Sequence, residues 1–450
     1  KELKEELGED FEICTIGPAA ENLVRFACIS HDFGRQCGRT GIGTVWGDKK
    51  LKYLAVKGTG SLPVYDPAKA FEGYTMFTSG HATAAWMIDM DGQVAHEWSL
   101  PFKKAFPNPP HVDNPVPESK IKWAGAKLFP NGDVLANYTA EGDTPYGYGM
   151  VKVNKDSEVL WTFPGHMHHD ATVMEDGRIW TLTHEFRNLN DKPIAGFNKN
   201  PDKVLEDFAV LLTADGEVEQ RFSLVDAIAN SDHKKILHKW FRAANWDILH
   251  ANNLEPIGED FAEHHDFAEA GQLLVSMRSL NAIALFDVET RKMTWASRGF
   301  WHMQHDPDPL PNGNILIYDN LGYNGPGGRS RIAEFNPATG ETVWEYTGTK
   351  ENPFFSKWGG KQERLPNGNV IISEPLGGRI LEVSPDSEVV WEFRNPARMM
   401  YEGKEFSATM NGLVERVAPD FLDFDPAGPI GPGSLLNIKS KKNAKKNSEK

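Results

Sequence analysis

Cysteine is nearly missing from this sequence. Of 450 residues only three are cysteine, Cys14, Cys28 and Cys37. An odd count at these spacings fits neither a disulfide framework nor a zinc or iron–sulfur site, so the long remainder of the chain must rely on its packed core. Long apolar runs are missing too. No window approaches the roughly eighteen consecutive apolar residues of a membrane-spanning helix. The opening stretch Lys1–Asp10 is charged and lacks the apolar segment of a secretory signal. Positive charge is in deficit: 48 Lys and Arg against 63 Asp and Glu leave a net charge of −15. Phosphate backbones need clustered cations, so general nucleic-acid binding is not expected. The one basic run lies at the end, and residues 429–450 read as a disordered, basic, solubilising tail.

What is present is globular: 40% hydrophobic and 25% charged residues, with a mean hydropathy of −0.47. An internal repeat decides the fold. Six times a turn leads into a short β-rich run ending in an aromatic, at Trp98, Trp161, Phe222, Trp295, Trp344 and Trp391. Asp91-Gly92 and Asp215-Gly216 are turns of the type that joins strands in a hairpin. A second hairpin recurs earlier in the units, as in FPNGDVLANY (129–138), MEDGRIWTLT (174–183), LPNGNILIYD (310–319) and LPNGNVIISE (366–375). About four strands per unit is the content of a propeller blade, and a ring of such blades leaves no edge exposed. The expectation is an all-β fold, a six-bladed β-propeller over residues 73–428, with a β-sandwich or open solenoid as the competing architecture.

Three segments stand outside the repeat. The apolar spacing within 225–249 predicts a helix between the third and fourth units. Residues 397–428 read as a non-repeating segment that closes or plugs one face. Residues 1–62 read as a small α+β segment with a helix at 21–36, a strand at 51–58 and a Gly- and Arg-rich loop between them.

Propellers place functional groups where the innermost strands converge. The polar residues heading the units are His168-His169-Asp170, His250, His305-Asp306 and Gly359-Gly360-Lys361. Three units thus open with histidine at one structural phase. Two chemistries fit such a set. Three imidazoles bind a metal such as zinc. Alternatively one is a nucleophile, and the others, with Arg278, hold an anion; a guanidinium offers paired donors matched to an oxyanion. The presence of Arg278 favours the second.

GYTMFTSGHATAAWMIDMDGQVAHEW (73–98), HHDATVMEDGRIWTLTHE (168–185), LLVSMRSLNAIALFDVETRKMTW (273–295), HDPDPLPNGNILIYDN (305–320) and SRIAEFNPATGETVWEY (330–346), in this order, resemble the arylsulfotransferase family. The resemblance implies sulfuryl transfer from a small-molecule aryl sulfate to a phenol, without a nucleotide donor, through a transiently sulfated histidine. By position in the motif that residue would be His305. His250 and Arg278 match the family's sulfate-holding pair, and His169 supplies a further anion contact. His168, Asn253 and Lys361 are taken as substrate-binding. No cofactor is expected for the propeller. The best-known bacterial members carry a disulfide near the nucleophile and an N-terminal β-sandwich, both missing here.

IGPAAENLVRFACIS (16–30) and GRQCGRTGIGTVWGDKKLKYLAVKG (34–58) resemble the end of the first domain of the aldehyde ferredoxin oxidoreductase family. There a loop of this form contacts the phosphates of a tungsten–pterin cofactor, and Arg35, Gln36, Gly38 and Arg39 stand in the matching positions. The family's iron–sulfur cysteine motif is missing, so a complete tungsten–pterin site is not expected. Four readings remain: a histidine-dependent sulfotransferase, a non-catalytic binding or scaffold propeller, a redox protein or fragment, and a metal-dependent hydrolase. Compartment and oligomeric state stay open, since one resemblance points to exported proteins and the other to cytoplasmic ones.

Overall fold

The computed structural model describes residues 11–31, 35–37, 41–57, 64–194, 202–237, 246–323, 328–401, 404–408 and 414–426, with isolated positions at 3, 434 and 436. The expected tail therefore lies almost wholly outside the described residues. The chain divides into two compact units, Lys1–Ser61 and Leu62–Lys450.

The smaller unit holds one antiparallel sheet, ordered Arg35–Cys37, Ile29–His31, Phe11–Ile16 and Tyr53–Lys57. Among the described residues 11–57 it is accompanied by the short helices Pro18–Glu21 and Ile42–Asp48, around a core of Ile16, Ala20, Ala27 and Ile29. The helix expected over 21–36 is not formed. Its apolar residues share no buried face, since Leu23 is 50% and Phe26 80% exposed. Leu23 also adopts a left-handed conformation, φ +56°, which ends the helix begun at Pro18. The strand expected over 51–58 appears at Tyr53–Lys57.

The larger unit contains six four-stranded antiparallel sheets. Taken in order, the strands at one edge of these sheets are Val414–Val417, Ile121–Leu128, Met167–Val173, Ala251–Pro256, His305–Pro309 and Gln362–Arg364. Those at the opposite edge are Val94–Ser99, Val159–Phe163, Val218–Ser223, Lys292–Ser297, Thr342–Tyr346 and Val389–Arg394. Each repeated terminal aromatic sits in one of these last strands.

The recurrent Pro-Asn-Gly-Asn explains itself in the fifth sheet. Gly313 takes φ +81°, and its N–H donates to Leu310 O at 2.9 Å, while Asn312 Oδ1 accepts from Asn314 N at 3.0 Å. A left-handed glycine and a side chain that mimics backbone fix the turn and thereby the register.

Both faces of the sheets are buried, which is why their central strands read as continuous apolar runs. In Leu273–Met277, the side chains of Leu273, Val275 and Met277 join a core with the third sheet, and Leu274 joins one with the fifth. Six such cores exist, each drawn from two consecutive sheets, and one joins the sixth sheet to the first. Each fully buried Leu, Val or Phe contributes about 1.5–3 kcal/mol. The terminal tryptophans add a polar tie. Trp98 Nε1 donates to Gly132 O (2.9 Å), Trp161 to Ala214 O (3.1 Å), Trp344 to Pro385 O (2.9 Å) and Trp391 to Met90 O (2.8 Å), each a carbonyl in the next sheet of the series.

Two expectations change here. The segment 397–428 is not simply a plug: its strand Val414–Val417 pairs with Tyr74–Thr78 and completes the first sheet. Of the helix expected within 225–249, the described residues form an α-helix over Leu224–Ala229, capped by Ser223 Oγ, which accepts from Asp226 N at 3.0 Å; residues 238–245 lie outside the described set.

Candidate functional site

Four of these strands, Ile121–Leu128, Met167–Val173, Ala251–Pro256 and His305–Pro309, carry a distortion. Register shifts occur between Trp123 and Gly125, His168 and Ala171, Ala251 and Asn253, and His305 and Asp308. Beside them His169, His250 and Asp306 take left-handed backbones with φ of +55°, +48° and +50°. An extra residue in a strand re-aims side chains, and such strain in non-glycine residues concentrates at functional sites.

The re-aimed side chains meet. A cavity of about 310 Å³ is lined by His169, His250, Arg278, His305 and Lys361, together with Tyr146, Trp358 and Lys122. That volume is at the lower end of small-ligand sites. Ring centroids of His169 lie 5.2 Å from His250 and 6.4 Å from His305. Gly360 belongs to the wall because only a glycine fits: it has φ +116°, and a Cβ there would sit 2.4 Å from the Tyr318 ring.

His305 is held in a single tautomer. Its Nδ1 lies 2.7 Å from Asn320 Oδ1 and 3.0 Å from Met303 O, both acceptors, so Nδ1 carries the proton. The Asn320 amide cannot turn round, because its Nδ2 donates to Ser356 O and Gly359 O at 2.8 and 2.7 Å. Nε2 is left as a lone pair, approached only by Gly359 N–H at 3.3 Å. Burial, with the charge of Arg278 and His250 adding to it, pushes the His305 pKa down to about 3 against the support of Asn320. The ring is a free base at neutral pH.

His250 Nδ1 rests 2.5 Å from Asp247 Oδ2. Burial opposes charge on Asp247, but its contact with His250 and the field of Arg278 hold the carboxyl below its usual range. Arg278 is itself pushed down by burial, offset by Asp247 and Tyr146. Its Nε is buried without a hydrogen-bond partner, and among the described residues it forms no ion pair. A guanidinium left with unspent donors beside a cavity is a ready anion site. Lys361 Nζ pairs with Asp306 Oδ1 at 2.7 Å.

Two residues expected to touch substrate stand one layer back. His168 is buried against His184, ring centroids 4.2 Å apart, and does not line the cavity. Asn253 is fully buried and donates to Asp306 Oδ1 at 3.1 Å, while its neighbour Asn252 lines the cavity. In both cases the residue that lines the cavity, His169 or Asn252, lies within the strand bulge. Asn320, Asp247 and Tyr146 were not anticipated; Asn320 lies within Ile315–Tyr323, and Asp247 and Tyr146 shortly precede Ala251–Pro256 and Gly147–Val153.

In the small unit, Gln36 Oε1 accepts from Ser30 Oγ at 3.1 Å and lies 2.6 Å from Cys28 Sγ. Arg35 lies in a strand, and Gly38 and Arg39 fall outside the described residues. Among the described residues the three cysteines do not gather into a ligand set.

The buried neutral rings make stability depend on pH. His169, His184 and His305 are all pushed down by burial. In the unfolded chain histidine takes its proton near pH 6.5. Below that the unfolded state binds more protons, so stability falls as pH drops from about 6.5 towards the folded value of about 3 for His305. Glu363, pushed up to about 7 by burial and by Glu415, works in the opposite sense. The clean measurement is therefore a difference: from pH 7 to pH 5 the urea midpoint of wild type should fall more than that of His305→Gln.

No helix among the described residues is long and apolar enough to cross a membrane. Residues 1–58 match the N-terminal domain of aldehyde ferredoxin oxidoreductases. Over 68 residues the chain is 48% identical to the tungsten-containing aldehyde ferredoxin oxidoreductase of Thermococcus kodakarensis and 47% identical to that of Pyrococcus furiosus. Each match covers 15% of this chain and 11% of the relative, so the chain spans about a tenth of the length of these relatives. Among solved structures, a Bacteroides caccae protein of unknown function covers 72% of this chain and 94% of its own at 11% identity and a TM-score of 0.47. A streptogramin B lyase covers 77% and 86% at 14% identity and a TM-score of 0.38. The arylsulfotransferase (ASST) family model matches residues 125–396, more than half of the chain and every cavity-lining histidine, and the chain belongs to the arylsulfotransferase family.

Proposed function

We propose that the six sheets are blades of a closed propeller and that its axial cavity transfers a sulfuryl group from an aryl sulfate to a phenol through a sulfated His305. The cyclic series of six inter-sheet cores supports the ring. The observation that carries the chemistry is the unprotonated Nε2 of His305, met by the Gly359 N–H, in a cavity shared with Arg278, whose Nε is buried without a hydrogen-bond partner.

In the first step His305 Nε2 attacks sulfur. The S–O bond to the aryl group breaks, and its electron pair leaves on the phenolate oxygen. Arg278 and Lys122 hold the sulfuryl oxygens, and His250, oriented by Asp247, completes the anion pocket. In the second step a phenol oxygen attacks sulfur, its proton goes to a base, and the S–N pair returns to Nε2. Positioning and fixed positive charge supply most of the acceleration.

The test is direct. Incubated with a chromogenic aryl sulfate and no acceptor, the full chain should release about one phenolate per chain in a burst, and peptide mass analysis should find one sulfuryl group on His305. Turnover with no label on any histidine would overturn the covalent route; no burst and no turnover would leave a binding propeller.

A further inference from the structure

Behind the cavity wall lies a second cluster that the reaction above does not use. His168, His184 and Asp207 are all buried, and their candidate ligand atoms lie within 4.8 Å of one another. That spacing suits a metal, but the backbone speaks against one. Gly147 N–H donates to His184 Nε2 at 3.2 Å, which keeps the lone pair on Nε2 and the proton on Nδ1. The His184 nitrogen left over is thus a donor and has no pair to offer an ion.

The cluster instead connects to the cavity. Asp207 Oδ2 accepts from Ala251 N at 3.0 Å, and Oδ1 stands 3.3 Å from His168 Nε2. A lone pair facing a carboxylate at that distance is repelled, so His168 carries its proton on Nε2, although the contact is not a linear hydrogen bond. Its Nδ1 is then an acceptor. His169 Nδ1 lies 2.8 Å away and must be the donor. The remaining His169 nitrogen, Nε2, is left as a lone pair on a ring that lines the cavity. Each proton position follows from the one before, starting from a carboxylate.

We infer that Asp207 and His168 are positioning residues that act through His169, and that His169 Nε2 is the base taking the proton of the incoming phenol. This rests on the sulfuryl-transfer reading above. The balance is complete: the phenol O–H bond breaks towards His169 Nε2, the O–S bond forms, and the S–N bond returns its pair to His305. The positive charge is shared through the 2.8 Å contact with His168 and faces Asp207. The donor half-reaction draws no proton, since its aryl group leaves as the phenolate, and His169 gives the acceptor's proton to solvent before the next cycle.

The experiment uses the full chain and a series of phenols spanning acceptors ionised and un-ionised at the assay pH. A phenolate needs no base. Asp207→Asn, nearly the same shape, should therefore slow transfer to a weakly acidic phenol by about 10²-fold or more, and the loss should shrink steadily as the acceptor becomes more acidic. His168→Phe, which keeps a ring against His184 but removes the acceptor for His169, should give the same slope. An equal loss for every acceptor in both variants would make the pair structural only and overturn the inference. So would stoichiometric Zn²⁺ held by wild type and lost from Asp207→Asn. The absence of burst and label in wild type is the separate failure of the parent reading.

Discussion

His305→Ala is expected to lower sulfuryl transfer by at least about 10³-fold and to abolish labelling of the chain by an aryl sulfate. No other group in the cavity can take its place. The His169 ring centroid lies 6.4 Å from that of His305, and His250 is engaged with Asp247. The loss should appear in kcat with little change in donor binding, because Arg278 and Lys122 remain to hold the anion. The His250→Ala variant offers the contrast. It should weaken transfer yet still yield a sulfated peptide containing His305. A His305→Ala chain that folds and transfers at more than a tenth of the wild-type rate would remove the nucleophile from the mechanism.

Arg416→Ala is expected to destabilise the larger unit by about 3–5 kcal/mol, read from the midpoint of urea unfolding. Arg416 and Glu382 are both fully buried and pair at 3.1 Å, and the guanidinium also donates to Thr75 Oγ1 at 2.6 Å and lies 4.5 Å from the Trp391 ring centre. Glu382 further accepts from Phe71 N at 2.6 Å and Asn369 Nδ2 at 2.7 Å. Removing the arginine strands a carboxylate in the core between the sixth sheet and the first. By contrast Lys69 and Glu388 form an exposed pair, and Lys69→Ala should leave the midpoint unmoved. A small shift for Arg416→Ala would mean that the core between these sheets readmits water.

How much of this could be read from residue order alone follows from the kind of signal each feature leaves. The hairpins were legible because Asn-Gly and Asp-Gly demand a particular backbone, and the outer strands because a tryptophan ends most of them. His169, His250, His305 and Lys361 were legible because they recur at one phase of the repeat, and Arg278 because its chemistry complements theirs. The strand Val414–Val417 was not, since four residues carry too little alternation to register. Asn252 and Asn253 show the harder limit. A strand reading has period two, and a one-residue bulge inverts it without leaving a mark. Asn320 and Asp207 were invisible for another reason: they stand on other strands than the rings they orient, and only pairing of strands brings them there. The small unit misled through apolar spacing that, in Phe26, points to no core.

Because Val414–Val417 pairs with Tyr74–Thr78, the first sheet of the larger unit cannot be finished until the chain has emerged through Val417. Some 340 residues separate Phe77 from its partner Val414, and the two ends are brought together at an entropic cost that local hairpins do not share. Assembly should therefore end, rather than begin, with that sheet. A chain arrested before Val414 would carry a bare strand edge at Tyr74–Thr78, open to the strands of its neighbours, so truncation should reveal itself first as aggregation and only afterwards as lost chemistry.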